Sequence, residues 1–320
     1  TQGSGVYFAE SIEKLPDNLK EVQPTVFFGV PRIWEKFNAG ISGKLEGAPP
    51  LKKKLVDWAM GVGKKKNAAE NAGKKPGTLL RAQYKLANKL IFSKVKEAIG
   101  LGRVKICISG AAPISQDILE FMSGLDIVIY EVYGQSEDCG PTSFNRPGMA
   151  KFGSVGPAFP EVEVKLAEDD EILVRGKNVF LGYYKDKEAT DKTLVDGWLH
   201  SGDLGKIDED GFLYIVGRVK DMIIRGGVNI YPSEIEHILN NHDEVLDTSV
   251  VAWPSDERGE EVAAFVVKNN DIKEEELISY LKNYLAPYKI PKQIFFIDDL
   301  PKSAQGKVLK SELTKKLPKI

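Results

Sequence analysis

Gly217-Arg218-Val219-Lys220-Asp221-Met222-Ile223-Ile224-Arg225-Gly226-Gly227-Val228-Asn229 places a fixed cation and a Gly-Gly turn on either side of a short apolar run. A ligand-gripping hinge between two domains needs such a segment. Taken alone it reads equally well as a surface salt bridge at Arg218 followed by an ordinary hairpin turn at Gly226-Gly227. Its company tips the balance. Tyr133-Gly134-Gln135-Ser136-Glu137 lies upstream, Ser201-Gly202-Asp203 shortly before it, and Pro301-Lys302-Ser303-Ala304-Gln305-Gly306-Lys307 near the end.

Working outward, the N-terminal half alternates strand and helix patterns. Thr25-Val26-Phe27-Phe28-Gly29-Val30 reads as a buried strand, and Pro31 is well placed to start the following helix. Residues 78–99 carry helical apolar spacing. Val104-Lys105-Ile106-Cys107-Ile108-Ser109 and Ile127-Val128-Ile129-Tyr130-Glu131-Val132-Tyr133 are two more strands. Each runs into a small-residue turn at its carboxyl end, Gly110-Ala111-Ala112-Pro113 in the first case, which is where open α/β sheets bind ligands. From about residue 154 to 217 short strands follow closely (162–166, 171–175 and 211–216), with Asp203 on one of the loops of a compact β subdomain. A third unit begins after Lys220. It has a capped helix from Pro232, strands at 246–252, 261–267 and 293–297, and a helix over 274–284.

Composition sets the class. At 320 residues, 42% hydrophobic and 28% charged, the chain suits a soluble globular protein of two domains. No apolar run is long enough to span a membrane, and Thr1-Gln2-Gly3-Ser4-Gly5 lacks a signal pattern. Cys107 and Cys139 lie far apart without metal-ligand spacing, so a reducing, cytoplasmic location without structural zinc is expected.

The net charge of -2 hides an asymmetry: between Lys44 and Lys105 there are 16 Lys/Arg against 4 Asp/Glu, a local +12. Lys52-Lys53-Lys54 and Lys64-Lys65-Lys66 interleave with Leu51, Leu55, Val56, Trp58, Ala59 and Met60 in an amphipathic helix. Residues 51–66 therefore suit either a solvated helix face or peripheral contact with an anionic inner-membrane face. Nucleic acid fits less well, because aromatic residues do not alternate with the basic ones. The Lys, Ala, Asn and Gly-rich run 63–76 is expected to be an exposed loop.

A site that holds a nucleotide must balance its phosphate charge with Mg²⁺ and cations. Tyr133 offers a flat face for adenine, Ser136 a hydroxyl for a phosphate oxygen, and Glu137 a hard oxygen ligand for Mg²⁺. Asp203 suits ribose hydroxyls, and Arg218 supplies a planar cation that Lys would not reproduce. Lys307, one of many lysines in the tail, sits on a loop whose entry Leu300-Pro301 fixes and which Gly306 makes flexible.

The four segments in this order resemble the adenylate-forming enzymes, the superfamily of acyl-CoA synthetases, luciferases and peptide-synthetase adenylation domains. The resemblance implies an α/β fold class: the C-terminal part of a large AMP-binding domain (α/β over residues 1–153, β-rich over 154–219), then a small mobile α+β domain over 220–320. It implies Tyr133 as the adenine-stacking aromatic with Gly134, Ser136 as the phosphate contact and Glu137 as the magnesium ligand. Gly110, Ala111, Ala112 and Pro113 would flank the nucleotide, Asp203 and Arg218 bind ribose, and Lys307 serve adenylation. Lys220 matches the hinge, and Gly226 and Gly227 the loop bordering the pantetheine tunnel. His200 is expected to pack locally, and His237 and His242 to lie at the surface.

Tyr7-Phe8-Ala9-Glu10-Ser11-Ile12, Val30-Pro31-Arg32-Ile33-Trp34-Glu35-Lys36 and the basic insertion with Trp58-Ala59 look like bacterial long-chain fatty acyl-CoA synthetases. These take fatty acid, ATP and CoA to acyl-CoA, AMP and diphosphate through an acyl-adenylate. Lys310 stands where the family commonly has Arg. The family's Ser/Thr/Gly-rich phosphate loop does not occur, so the chain resembles a C-terminal fragment, inactive in isolation, whose large domain is expected to have unpaired edges and exposed apolar surface. Two alternatives keep the motifs: a fatty acyl-AMP ligase or other acyl/aryl-CoA synthetase, and a non-catalytic nucleotide- or CoA-binding module.

Overall fold

The computed structural model describes residues 3, 5–11, 13–269, 271–303 and 307–319. Two compact units divide the chain: Thr1–Val164, Val174–Leu199 and Ile207–Tyr214 form the first, and Lys165–Leu173, His200–Lys206 and Ile215–Ile320 the second. In chain order the elements are α1 (Leu15–Val22), β1 (Val26–Gly29), α2 (Pro31–Glu46), α3 (Pro50–Asn71), α4 (Thr78–Ala87), α5 (Ser93–Ala98), β2 (Ile106–Ser109), α6 (Gln116–Gly124), β3 (Ile129–Tyr133) and β4 (Ser143–Phe144). There follow β5 (Glu163–Leu166), β6 (Glu171–Arg175), α7 (Lys187–Thr193), β7 (Leu194–Val195), β8 (Trp198–Ile207) and β9 (Leu213–Arg218). The last elements are β10 (Ile223–Arg225), β11 (Val228–Ile230), α8 (Pro232–Asn240), β12 (Val245–Ser255), β13 (Gly259–Lys268), α9 (Glu274–Leu281), β14 (Gln293–Phe296) and α10 (Lys310–Thr314).

In the first unit β1, β2 and β3 run parallel, with Ser109 in register with Gly29 on one side and Glu131 on the other, and β4 adds an antiparallel edge. The core under this sheet gathers Phe27, Trp34, Ile118, Leu119, Met122 and Ile129. Pro31 opens α2 at its first turn, where a missing N–H costs nothing. That places Trp34 fully buried, its indole N–H donating to the Gly29 carbonyl at 3.0 Å. The strand end and the helix start are thereby fastened together. β1 lies at the edge of this sheet among the described strands, and on the face away from that core Val26 and Phe28 are each 55% exposed, an exposed apolar surface of the kind expected.

The run 63–76 is not a loop throughout. Residues 63–71 continue α3, and Gly63, Asn67 and Asn71 are buried. The cause is tertiary: a Cβ on Gly63 would sit 2.3 Å from the Gly124 carbonyl oxygen, so the two backbones touch, and the Asn67 side-chain amide donates to the Ser123 carbonyl at 2.8 Å. Asp126, just beyond α6, accepts hydrogen bonds from Lys66, Lys96 and the Tyr84 hydroxyl, tying α3, α4 and α5 to one buried carboxylate. Burial there pushes the Tyr84 hydroxyl well above its ordinary range. The helix expected over 78–99 is present, with a wider π turn over Asn88–Phe92 between α4 and α5.

Strands β5, β6, β8 and β7 lie in that order, with β9 on β8. Asp203 is therefore a mid-strand residue of β8 and not a loop residue. The polar, glycine-broken run His200-Ser201-Gly202-Asp203 hides the strand from a hydropathy reading, since Gly202 has φ +72° and interrupts the side-chain alternation.

The second unit carries its own sheet in the order β11-β10-β13-β12, with β14 parallel to β13. Ile223, Ile235, Leu239, Val250, Val262 and Leu277 fill its core beneath α8 and α9. α8 starts at Pro232 but lacks the expected side-chain cap: the Ser233 hydroxyl donates instead to the Val216 carbonyl. His242 is half-buried against the Tyr280 ring at 4.7 Å, whereas His237 is exposed. Among the described residues no helix is long and apolar enough to cross a membrane.

Candidate functional site

Within the first unit the structure brings together Gly110–Pro113 and residues 133–137. A Cβ on Gly110 would lie 2.6 Å from Val132 Cγ1, so the turn after β2 abuts the end of β3. Ala111 has φ +70°, a conformation costing about 1–2 kcal/mol for a residue with a Cβ, and it sits exposed at the strand end.

Beyond half-buried Tyr133 the chain turns sharply. Gly134 is required there because a Cβ would fall 1.5 Å from the Gly140 carbonyl oxygen. A single tight turn, Ser136–Asp138, follows. Asp138 is its buried anchor, accepting from the Gln135 N–H at 2.9 Å and from the Thr142 hydroxyl. Burial pushes the Asp138 carboxyl up, against those hydrogen bonds. The anchor leaves Ser136 exposed and Glu137 half-buried at the carboxyl end of β3.

Glu137 has a partner that the sequence reading did not single out. The Tyr183 hydroxyl donates to Glu137 Oε1 at 2.8 Å, and the Phe180 N–H donates to the Glu137 carbonyl at 2.7 Å. That hydrogen bond is the main reason the Tyr183 hydroxyl titrates above its ordinary range. The two residues are 46 apart, too far for any local pattern to pair them. A half-buried carboxylate with one oxygen so held fits Mg²⁺, which takes one or two carboxylates and completes its shell with water and phosphate oxygens.

Within the second unit Asp203 is 8% exposed, and Arg218 Nε lies 3.1 Å from its Oδ1. Both parts of the plainer reading of the opening stretch are realised: Arg218 makes an ion pair, and Gly226 and Gly227, at φ +56° and +82°, form the hairpin turn between β10 and β11. With Arg218 47% exposed, the pair contributes at most about 1 kcal/mol to stability. The strand around Asp203 is held by Glu171, another residue the sequence reading passed over, which accepts from the Gly202 N–H at 2.8 Å and contacts His200 Nδ1 at 2.7 Å. His200 thus packs locally, as expected.

Lys220 is exposed on the short helical turn Val219–Asp221. Arg225 anchors the Gly-Gly turn from below, donating to the Tyr288 carbonyl at 2.7 Å and pairing with Glu261 at 2.6 Å. Lys307 is exposed, with its backbone closed onto Ser303 by two hydrogen bonds, while Ala304-Gln305-Gly306 lie outside the described residues. Lys310 is not a free charge: it donates to Glu236 at 2.8 Å and to the Val250 carbonyl at 3.0 Å.

Family models match on both sides of residue 220: "AMP-binding enzyme" over residues 1–184 and "AMP-binding enzyme C-terminal domain" over residues 234–307. A long-chain-fatty-acid–CoA ligase of Xenopus laevis is 39% identical over 259 residues, covering 78% of this chain and 35% of that protein. A 2-succinylbenzoate–CoA ligase of Listeria monocytogenes is 40% identical over 212 residues, 66% of this chain and 45% of that protein. Among solved structures, ATP-bound MatB from Rhodopseudomonas palustris superposes with TM-score 0.69 at 28% identity, covering 94% of this chain and 52% of that one. The o-succinylbenzoate CoA synthetase of Bacillus subtilis with its acyl-adenylate intermediate also gives TM-score 0.69, at 25% identity and 97% of this chain and 54% of that one. The chain spans about half or less of the length of these proteins. With the strand-end turns, the Asp203–Arg218 pair and both family models in agreement, the chain belongs to the AMP-binding enzyme family, within the adenylate-forming superfamily.

Proposed function

We propose that the protein is an AMP-forming acid–thiol ligase acting on long-chain fatty acids. Fatty acid and ATP give acyl-AMP and diphosphate, and the CoA thiol then attacks the acyl carbon and expels AMP. The observation that carries this reading is the half-buried carboxylate of Glu137, held by Tyr183 in the turn after β3, in a chain matching the family. Tyr133 stacks on adenine, and Gly110–Pro113 border the nucleotide. Asp203 accepts the ribose hydroxyls with Arg218 beside it. Ser136 contacts phosphate. Glu137 would hold Mg²⁺, which when bound neutralises phosphate charge. Lys307, exposed and without an ion pair among the described residues, offsets the charge developing on the α-phosphate during adenylation. Lys220 is the hinge, and Gly226 and Gly227 border the path of the CoA thiol.

Two observations bear on the acid. Relatives named long-chain-fatty-acid–CoA ligase align over 74–78% of the chain, against 66% for those named 2-succinylbenzoate–CoA ligase. The basic helices favour an amphipathic acid partitioned near a membrane. An aryl-acid ligase is the second reading, favoured by the 40% identity to the Listeria enzyme.

Because the isolated chain is expected to be inactive, the test is ATP-dependent acyl-CoA formation by the full-length parent protein with palmitate and with 2-succinylbenzoate, using CoA or a carrier-protein thiol as acceptor. Palmitate with CoA is the expected pair. Lys307→Ala should lower acid-dependent diphosphate–ATP exchange by roughly 10²–10³-fold, the usual cost of losing one oxyanion-stabilising group. Faster turnover of 2-succinylbenzoate would transfer the reading to aryl acids, and transfer to the carrier alone would make the protein an acyl-AMP ligase. Nucleotide binding without any turnover would leave a binding module.

A further inference from the structure

We propose that the start of α3 is a docking surface for an anionic lipid membrane, independent of which acid the protein activates. Every residue from Pro50 to Leu55 is exposed, so the helix projects a turn and a half before Val56 enters the core. Leu51 is 82% exposed and Leu55 36%, and with Trp58 they share one face at i, i+4 and i+7. These side chains, with Pro49, Lys52 and Lys54, line an open groove of about 610 Å³.

The two lysine triplets, alike in sequence, differ in the structure. Lys64 pairs with Glu120 at 3.3 Å, and Lys66 with Glu70 at 2.9 Å and Asp126 at 3.3 Å, so the second triplet is largely spent on holding the fold. Lys52, Lys53 and Lys54 form no ion pair with any described residue. They also occupy the first two turns of α3, whose first turn carries no acidic residue and whose second carries only Asp57, so their charge adds to the positive end of the helix dipole. Stability is poorly served by that placement. An anionic surface is well served, because it neutralises the cluster while the leucines and the indole enter the headgroup–acyl boundary. Peripheral contact expected over 51–66 thus narrows to 50–58.

The experiment is co-sedimentation of the protein with phosphatidylglycerol-rich vesicles and with pure phosphatidylcholine vesicles, at low and high salt. Binding is expected to the first only, weakening with salt. Reversing three lysines (K52E/K53E/K54E) should reduce partitioning on the order of a hundredfold. L51A/L55A should weaken it as well, and the control K74E/K75E should retain it. A blue shift of tryptophan emission on vesicles, absent in Trp58→Phe, should accompany binding. All these positions are exposed or half-buried, and unchanged thermal unfolding of each variant verifies the fold. Absence of vesicle binding overturns the proposal, as does equal loss in K74E/K75E. Binding that survives L51A/L55A without a Trp58 shift would be general electrostatic adsorption, and a smaller solution mass for L51A/L55A would mean self-association; either also overturns it.

Discussion

Glu131 is the residue whose placement departs most from ordinary chemistry. It lies on β3, 7% exposed, and accepts a hydrogen bond from the Gly153 N–H at 3.0 Å, yet burial pushes its carboxyl up to about 8. In the unfolded chain the same group titrates near ~4.3. The folded state therefore favours the protonated form, and Glu131's stabilising contribution is fully present below about pH 4 and lost as pH rises through about 8. Wild-type protein should lose stability relative to Glu131→Gln between pH 5 and pH 8.5, by on the order of a few kcal/mol. Urea unfolding of both proteins across that range checks it, and parallel curves would contradict it. A second residue-scale prediction concerns Arg218. Since its ion pair with Asp203 contributes so little to stability, Arg218→Ala should leave the urea midpoint nearly unchanged while weakening AMP binding about tenfold.

At the scale of elements, the packing of α3 on α6 depends on backbone contact that permits no side chain at Gly63. Gly63→Ala should destabilise the protein by about 1–3 kcal/mol, the range for overpacking a closed interface, measured by urea unfolding. A neutral effect would mean that the helices separate at little cost. The same contact explains why the sequence misled there. The run 63–71 is Lys, Ala and Asn-rich, and its apolar signal is weak because it is buried through glycine and asparagine against another helix's backbone. β8 was hidden similarly, by a polar stretch with a positive-φ glycine at its centre. By contrast β1, β2, β3 and the start of α2 were legible, because apolar runs ending in Pro31 or Gly110 report both burial and termination. Of the candidate site, the strand-end turns at Gly110–Pro113 and after Tyr133, carried on contiguous motifs, were legible as turns. Tyr183 and Glu171 were not, because they act through partners 46 and about 30 residues away.

For the whole molecule, the proposed reaction divides into two half-reactions, adenylation and thioester formation. In that proposal Lys307 serves the first step, and the second needs CoA. Lys307→Ala should therefore lower acid-dependent exchange by roughly 10²–10³-fold but leave conversion of supplied palmitoyl-AMP and CoA within a few-fold of wild type, a split that loss of folding would not produce. The most direct test of the central claim, that these residues handle an adenylate, is a calorimetric titration of the protein with AMP, repeated on Tyr133→Ala and Asp203→Ala. Saturable binding that each substitution weakens by roughly tenfold or more is the predicted result, given about 1–3 kcal/mol for a stacked base and a similar cost for a lost hydrogen bond to a charged group. No binding, or binding that neither substitution changes, would contradict it.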